Sequence, residues 1–470
     1  MVSDSTQVTR MNIKKVMVIG LDCAEPSLIF EQWKDELPYL RSLMEKGGYG
    51  RLKSTIPPIT VPAWMSMMTG KSPGLLGFYG FRNRKNYDYG DLEYATALKL
   101  KDKTVWDYLS EVNKKSIILN VPQTYPPKPL NGYLISCFLT PDAASQYSYP
   151  ATLKEEVQKL VGEYIFDVKN FRSEDKNYIL KQIYGMTEQH FVVACTLLER
   201  KEWDFFMMVD MGVDRIHHAF WKYCDETHPK YPPGNPHKNA IRDYYKYVDT
   251  QIGSLLKYVD SETAVFVVSD HGAQKMEGGI CLNEWLIKEG YLKLVKEPDA
   301  IKSPEKIGID WSRTKVWGEG GYYGRVFLNV KGREPQGIIE PSRYEAVREE
   351  IIDKLENLPD EFGNPIGTKV FRPEALYKEV RGIPPDLIVY FGNLAWRSVG
   401  SVGHNTIWTH ENDTGPDDAN HAQYGMIIVN HPAIAPNTKL PDLDIRDMAP
   451  TLLKLYGIPD PGDIEGTSFL

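Results

Sequence analysis

AVFVVSDHG (residues 264–272) is the stretch on which the reading of the fold turns. A short, unbroken apolar run bounded by turn residues predicts a strand buried on both faces, as in a parallel sheet. The run stops at Ser269, Asp270 and His271, and Gly272 lets the backbone turn sharply. An aspartate beside a histidine supplies two metal-type ligands. Taken alone, SDHG reads first as an ordinary polar turn.

The same pattern recurs along the chain: VMVIGLD (16–22), SIILNV (116–121), DFFMMVD (204–210), DLIVYF (386–391) and YGMIIVN (424–430). Between the runs lie helical patterns such as LPYLRSLMEKGG, TVWDYLSEVNKK, EQHFVVACTLLERK, IRDYYKYVDTQIGSLLKYV and IRDMAPTLLKLYGI. Strands alternating with helices predict an α/β fold, a mostly parallel sheet with helices on both faces. Asp22, Asp210 and Asp270 each close a run at its C-terminal end. In open α/β sheets that edge is where ligands bind.

Residues 292–384 break the rhythm with a Gly/Tyr-rich piece (WGEGGYYGRVFLNVKG) and a charged helix (EAVREEIIDKLENL). They are expected to form an inserted cap subdomain beside a core of residues 12–291 and 385–470, behind a polar tail of residues 1–11. HPKYPPGNPHKN (228–239) is Pro-rich and polar, and predicts a surface loop.

The 470 residues are 42% hydrophobic and 25% charged, ordinary for a soluble globular protein. A net charge of −8 offers no general attraction to nucleic acid or acidic membranes. An anionic substrate would need local positive charge from arginine, lysine or metal. The five cysteines, Cys23, Cys137, Cys195, Cys224 and Cys281, are scattered and never form C-x-x-C. They predict reduced thiols and a cytoplasmic location. No signal peptide or membrane span is expected.

Several motifs carry ligand-type side chains. In VDMGVDRIHHAFW (209–221), Asp214 and His218 are four apart and share one helix face, with Asp210 and His217 as competitors. His421 in ANHAQYG (419–425) precedes a strand, and His404 and His410 are rivals in GHNTIWTHENDTG. In TIPPITVPAWMSMMTG (55–70), Thr60 is either a helix cap or a nucleophile at the positive end of a helix. Each motif alone has an ordinary structural explanation. Together, three aspartates, two or three histidines and a hydroxyl would make two adjacent metal sites. Such a site is near neutral and accepts a phosphoryl group.

In this order, GLD, P-x-x-T-x-P-A-W, MTG-x-x-P, D-x-x-x-H, SDHG and a late H-x-x-x-G resemble the alkaline phosphatase superfamily. Within it the chain looks like the type I phosphodiesterase/nucleotide pyrophosphatase family in its soluble archaeal and bacterial form. The likeness extends to YYGRVFLNVKGREPQGII (322–339) and DMAPTLLKLYGIP (447–459). It implies an alkaline-phosphatase-like fold and two divalent metal ions, usually zinc, with manganese in some branches. One ion would be held by Asp22, Thr60, Asp270 and His271, the other by Asp214, His218 and His421. The family's oxyanion-binding asparagine has a loose match in Asn83, with Arg82 and Arg84 beside it. Leu76 stands where relatives commonly carry a histidine that is not a ligand.

The resemblance implies that Thr60, at a helix N-terminus with Pro62 in the first turn, attacks phosphorus and forms a phosphothreonine. A phosphodiester or nucleotide pyrophosphate is the expected substrate, because no extra basic cluster for a monoester is evident. Trp64, Phe78, Tyr79, Phe81, Tyr322 and Tyr323 are candidates to stack a nucleobase, or else core. A phosphomonoesterase is the alternative within the superfamily, and an inactive metal-binding scaffold the alternative outside catalysis. Sulfatase chemistry is disfavoured, since a threonine and Trp64 replace the C/S-x-P-x-R motif. Small-molecule phosphate esters or nucleotides are the expected partners, with no nucleic acid and no membrane.

Overall fold

Five of the strands line up in parallel at the centre of a ten-stranded sheet. Their spatial order is Thr263–Val268, Lys15–Leu21, Phe205–Asp210, Ser116–Leu119 and Gly132–Ile135. All but Lys15–Leu21 at its first residue and Gly132–Ile135 at its first two are buried along their whole length. That explains why they read as continuous apolar runs. This computed structural model describes residues 13–470, so the tail assigned to residues 1–11 lies outside the described residues.

Tyr424–Asn430 joins the sheet antiparallel to Thr263–Val268 and pairs on its other side with Gly48–Lys53. The latter strand, GYGRLK, carries two glycines and no continuous apolar run. Gly50 leaves room for Leu440, whose Cβ would lie 3.0 Å from an added methyl. The sheet is therefore mixed at its edges and parallel in the middle.

Two groups of helices sandwich it. Pro38–Lys46, Lys176–Arg200, Gly212–Cys224 and Ala240–Leu255 pack together, while Thr60–Thr69, Val105–Glu111 and Met448–Leu455 form another group. The large core cluster joins both groups to the sheet.

A second core lies beside the first. It is built on the antiparallel sheet Val316–Glu319, Gly324–Leu328, Leu387–Tyr390 and Lys369–Phe371. Its residues run from Ile280 and Leu282 to Phe391 and Ile407, wider than the 292–384 insertion. DLIVYF (386–391), expected in the main sheet, belongs to this smaller one. An apolar run reports that a strand is buried, not which sheet buries it.

Candidate metal centre and nucleophile

The C-terminal edge of the parallel strands gathers the aspartates. Asp22 and Asp270 follow adjacent strands that pair in parallel register, and Asp214 enters on the helix Gly212–Cys224 after the third. One Asp22 oxygen, Oδ2, accepts the indole N–H of Trp64 at 2.7 Å. One Asp270 oxygen, Oδ1, accepts the backbone N–H of Cys23 at 3.2 Å. Cys23 is in the left-handed region at φ 64°, which turns that N–H toward Asp270. The other oxygens, Asp22 Oδ1 and Asp270 Oδ2, are buried and have no hydrogen-bond partner among the described residues.

The three histidines repeat the arrangement. His218 Nδ1 donates to Asp417 Oδ1 at 2.7 Å, His421 Nδ1 to the Pro58 carbonyl at 2.8 Å, and His271 Nδ1 to the Gly272 carbonyl at 3.1 Å. A carbonyl or carboxylate only accepts, so the proton stands on Nδ1 and each Nε2 faces inward. All three Nε2 atoms are buried and have no hydrogen-bond partner among the described residues.

These free atoms converge as two groups. Asp22, Asp270 and His271 form one; Asp214, His218, His421 and Cys23 form the other, with ligand atoms within 4.8 Å of one another in each. His271 Nε2 lies 3.1 Å from Asp270 Oδ2 and 3.9 Å from Asp22 Oδ1. Asp214 Oδ1 lies 3.2 Å from His218 Nε2 and 3.8 Å from His421 Nε2. Cys23 donates its S–H to the Gly272 carbonyl at 3.4 Å and, being buried, has its pKa raised, so we count it as a neighbour.

Electrostatics favours cations here. Burial, then repulsion from neighbouring carboxylates, pushes Asp22 and Asp270 well above the usual carboxylate range. Burial opposes ionisation of Asp214 too, but His218 and Arg215 hold its carboxyl well below that range. Burial lowers the His218 pKa, yet Asp417 and Asp214 overcome it and raise it to about 10. Borderline Asp/His donors with oriented outer partners fit zinc or another divalent ion.

Thr60 begins the helix Thr60–Thr69, whose first intrahelical bond runs from Ala63 N–H to the Ile59 carbonyl. The N–H groups of Thr60 and Val61 therefore have no acceptor inside the helix. Thr60 lines a cavity of about 920 Å³ together with Asp214, Arg215 and His421.

The remaining expected residues make other contacts. Asp210 accepts from Thr187 at 2.8 Å and Tyr244 at 2.9 Å, and burial raises its pKa to about 6. His217 contacts the Tyr245 hydroxyl at 3.1 Å. His404 bonds Ser401 at 2.8 Å and His410 bonds the Glu277 carbonyl at 3.2 Å. Arg82 lines the large cavity. Asn83 closes its own turn, accepting from Tyr79 N–H and donating to the Gly80 carbonyl. Arg84 is buried against Glu334 at 3.2 Å and lines a separate cavity of about 150 Å³, which takes it away from Thr60.

Of the aromatic candidates, Trp64, Phe78 and Tyr79 are buried in the protein, whereas Phe81, Tyr322 and Tyr323 line the cavity. Tyr322, from the second sheet's region, packs on His421 with ring centroids 4.3 Å apart. The expected absence of a basic cluster is corrected: Arg172, Arg215, Arg325 and Arg397 all line the cavity. They are scattered through the sequence, so only the fold gathers them.

Solved structures share this fold. Human ectonucleotide pyrophosphatase/phosphodiesterase 5 superposes with a TM-score of 0.55 at 12% identity, covering 95% of both chains. Phosphonoacetate hydrolase from Sinorhizobium meliloti 1021, in complex with phosphonoformate, gives 0.59 at 15%, covering 95% of this chain and 96% of that one. An inactive threonine-to-alanine variant of the murine phosphodiesterase 5, in complex with AMP, gives 0.53 at 12%, covering 95% and 96%. No curated protein sequence gives a significant match. The family model for type I phosphodiesterase/nucleotide pyrophosphatase matches residues 16–417, and with its alkaline-phosphatase-like fold the chain belongs to that family.

Proposed function

We propose that the chain hydrolyses phosphodiester or nucleotide pyrophosphate bonds through a covalent intermediate on Thr60. The family is one of phosphoester hydrolases. The observation that carries the finer reading is the convergence of five unpartnered ligand atoms on Asp22, Asp270, His271, His218 and His421 beside a threonine at a helix start. Two divalent cations, one with Asp22, Thr60, Asp270 and His271 and one with Asp214, His218 and His421, would supply positive charge to the transferring phosphoryl group and acidify the Thr60 hydroxyl.

The chain's own groups do the rest. Thr60 Oγ1 loses its proton to solvent and attacks phosphorus; the Oγ1–P bond forms as the bond to the leaving oxygen breaks, and that oxygen takes a proton from water. The free N–H groups of the helix start face the negative oxygens. Arg215 fixes Asp214 from one side and Asp167 from the other at 2.7 Å, so the carboxylate does not swing away. Water then cleaves the Oγ1–P bond and restores threonine. AMP in a structural relative and the Phe81 and Tyr322 rings in the cavity support a nucleotide-type substrate.

Hydrolysis of an aryl phosphodiester beside the matching monoester, with zinc or manganese, tests the reading. Diester turnover should vanish on chelation and in Thr60→Ala, and wild type quenched during diester turnover should carry on the Thr60 peptide, by mass spectrometry, the phosphoryl group with its remaining ester substituent. Equal activity in wild type and Thr60→Ala would overturn it.

A further inference from the structure

Arg397 is buried to 4% exposure, yet it lines the cavity that contains Thr60. Its Nε and Nη1 donate to no acceptor among the described residues. The nearest carboxylates are Asp417 Oδ2 at 3.8 Å from Nη1 and Asp413 Oδ1 at 3.7 Å from Nη2, both beyond hydrogen-bond distance. They balance its charge and leave its directed N–H groups unused. Arg172 stands beside it, with Nη1 3.0 Å from Asp417 Oδ2 and also without a hydrogen bond.

Asp417 bonds other groups and accepts no hydrogen bond from Arg397 Nη1 or Arg172 Nη1. Its Oδ1 is taken by His218 at 2.7 Å, and its Oδ2 already accepts the Tyr322 hydroxyl at 3.2 Å. A guanidinium carries five N–H donors in a planar fork suited to a carboxylate or phosphate. Buried donors without acceptors at a cavity wall mark a place for a ligand's oxygens. Tyr322 and Asp417 separate this pair from His218 and His421, so it lies next to the reacting centre and outside it.

We propose that Arg397, assisted by Arg172, binds a second anionic group of the substrate, separate from the phosphoryl group that is transferred. The substrate class is then a phosphoester or phosphoanhydride bearing a further carboxylate or phosphate. This rests on the phosphoester-hydrolase reading for what occupies the centre, while the subsite itself is defined by the arginines.

The test measures binding directly, by calorimetry on the metal-loaded protein with metal ion buffered in excess. The probes are propylphosphonate, with no second anion, 3-phosphonopropanoate, with a carboxylate, and ethane-1,2-diphosphonate, with a second phosphonate. Wild type should bind one or both doubly anionic probes about tenfold tighter than propylphosphonate, as expected for charge-assisted bonds. Which of the two gains more tells a carboxylate source from a phosphate source. Arg397→Gln should reduce the preference to within about twofold, Arg397→Lys should retain part of it, and Arg172→Gln should reduce it less. If Arg397→Gln does not fold, the ordering of wild type, Arg397→Lys and Arg172→Gln decides. Equal binding of all probes to wild type, or an unchanged preference in the variants, would overturn the proposal and show that water alone fills the arginines. Loss of aryl diester turnover with the probe preference intact would instead count against the hydrolase reading.

Discussion

His271 and His421 stack with ring centroids 3.8 Å apart and planes 18° apart, although they belong to different ligand groups. Burial lowers both pKa values, to about 4 for His271 and well below the ordinary value for His421. Two neutral rings can lie this close, whereas two imidazolium ions would repel. Stacking brings the two ligand groups side by side.

From this adjacency we expect about two equivalents of divalent metal per chain after reconstitution, by elemental analysis. His421→Ala should drop the content toward one equivalent and leave the Asp270 group loaded. Chelation should lower the melting temperature, and zinc or manganese should restore it, because an ion that binds only the folded state stabilises it by mass action. Metal content unchanged in His421→Ala would remove His421 from the set.

Asp417 orients His218, so its own substitution should be felt at one metal position only. Asp417→Asn keeps an acceptor and loses the charge. Metal affinity at the Asp214 group should fall by about 10–100-fold, as for other partners that orient a ligating histidine. A metal-buffered titration that shows both positions weakened equally, or neither, would contradict this.

Much of this centre is legible in the chain because its logic is local. Asp214 and His218 are joined by helix spacing, Asp22 and Asp270 by strand ends, and Thr60 by the first-turn proline that follows it. What escapes is set by contacts across hundreds of residues. Asp417 meets His218 over 199 positions, and Arg84 is claimed by Glu334 over 250. Tyr322, Arg172 and Arg397 reach the cavity from loops and a short strand with no periodic signal. DLIVYF misleads for a related reason: its burial is local, but the strands it pairs with are distant in sequence.

Trp64 gives a test of how the first carboxylate is aimed. Its indole fills the space over Gly20, where an added methyl would lie 2.5 Å from the ring, and its N–H holds Asp22 Oδ2. Trp64→Phe retains an aromatic ring and removes that hydrogen bond. Activity and metal affinity at the Asp22 group should fall together, with only about 1–3 kcal/mol of stability lost in urea unfolding. Full metal affinity in the variant would show that the indole merely packs.

His190 should make stability depend on acid in a way separable from the metal centre. It lies in the helix Lys176–Arg200, donates Nε2–H to the Ile165 carbonyl at 2.7 Å, and keeps Nδ1 buried with no partner. Protonation would place a second N–H in that apolar position without an acceptor. Burial accordingly lowers its pKa from 6.5 to about 4, against a small opposing effect of the Ile165 carbonyl. The unfolded chain takes up the proton first. Its contribution is therefore intact above the unfolded pKa and is lost as pH falls from 6.5 toward 4. The loss should be about 1.4 kcal/mol per pH unit within that window. His190→Asn cannot titrate, so its unfolding free energy in urea should fall less steeply than wild type over the same range, with parallel curves above pH 7. Equal slopes below pH 6 would show that His190 is protonated in the folded protein, and the buried Nδ1 would then need an acceptor.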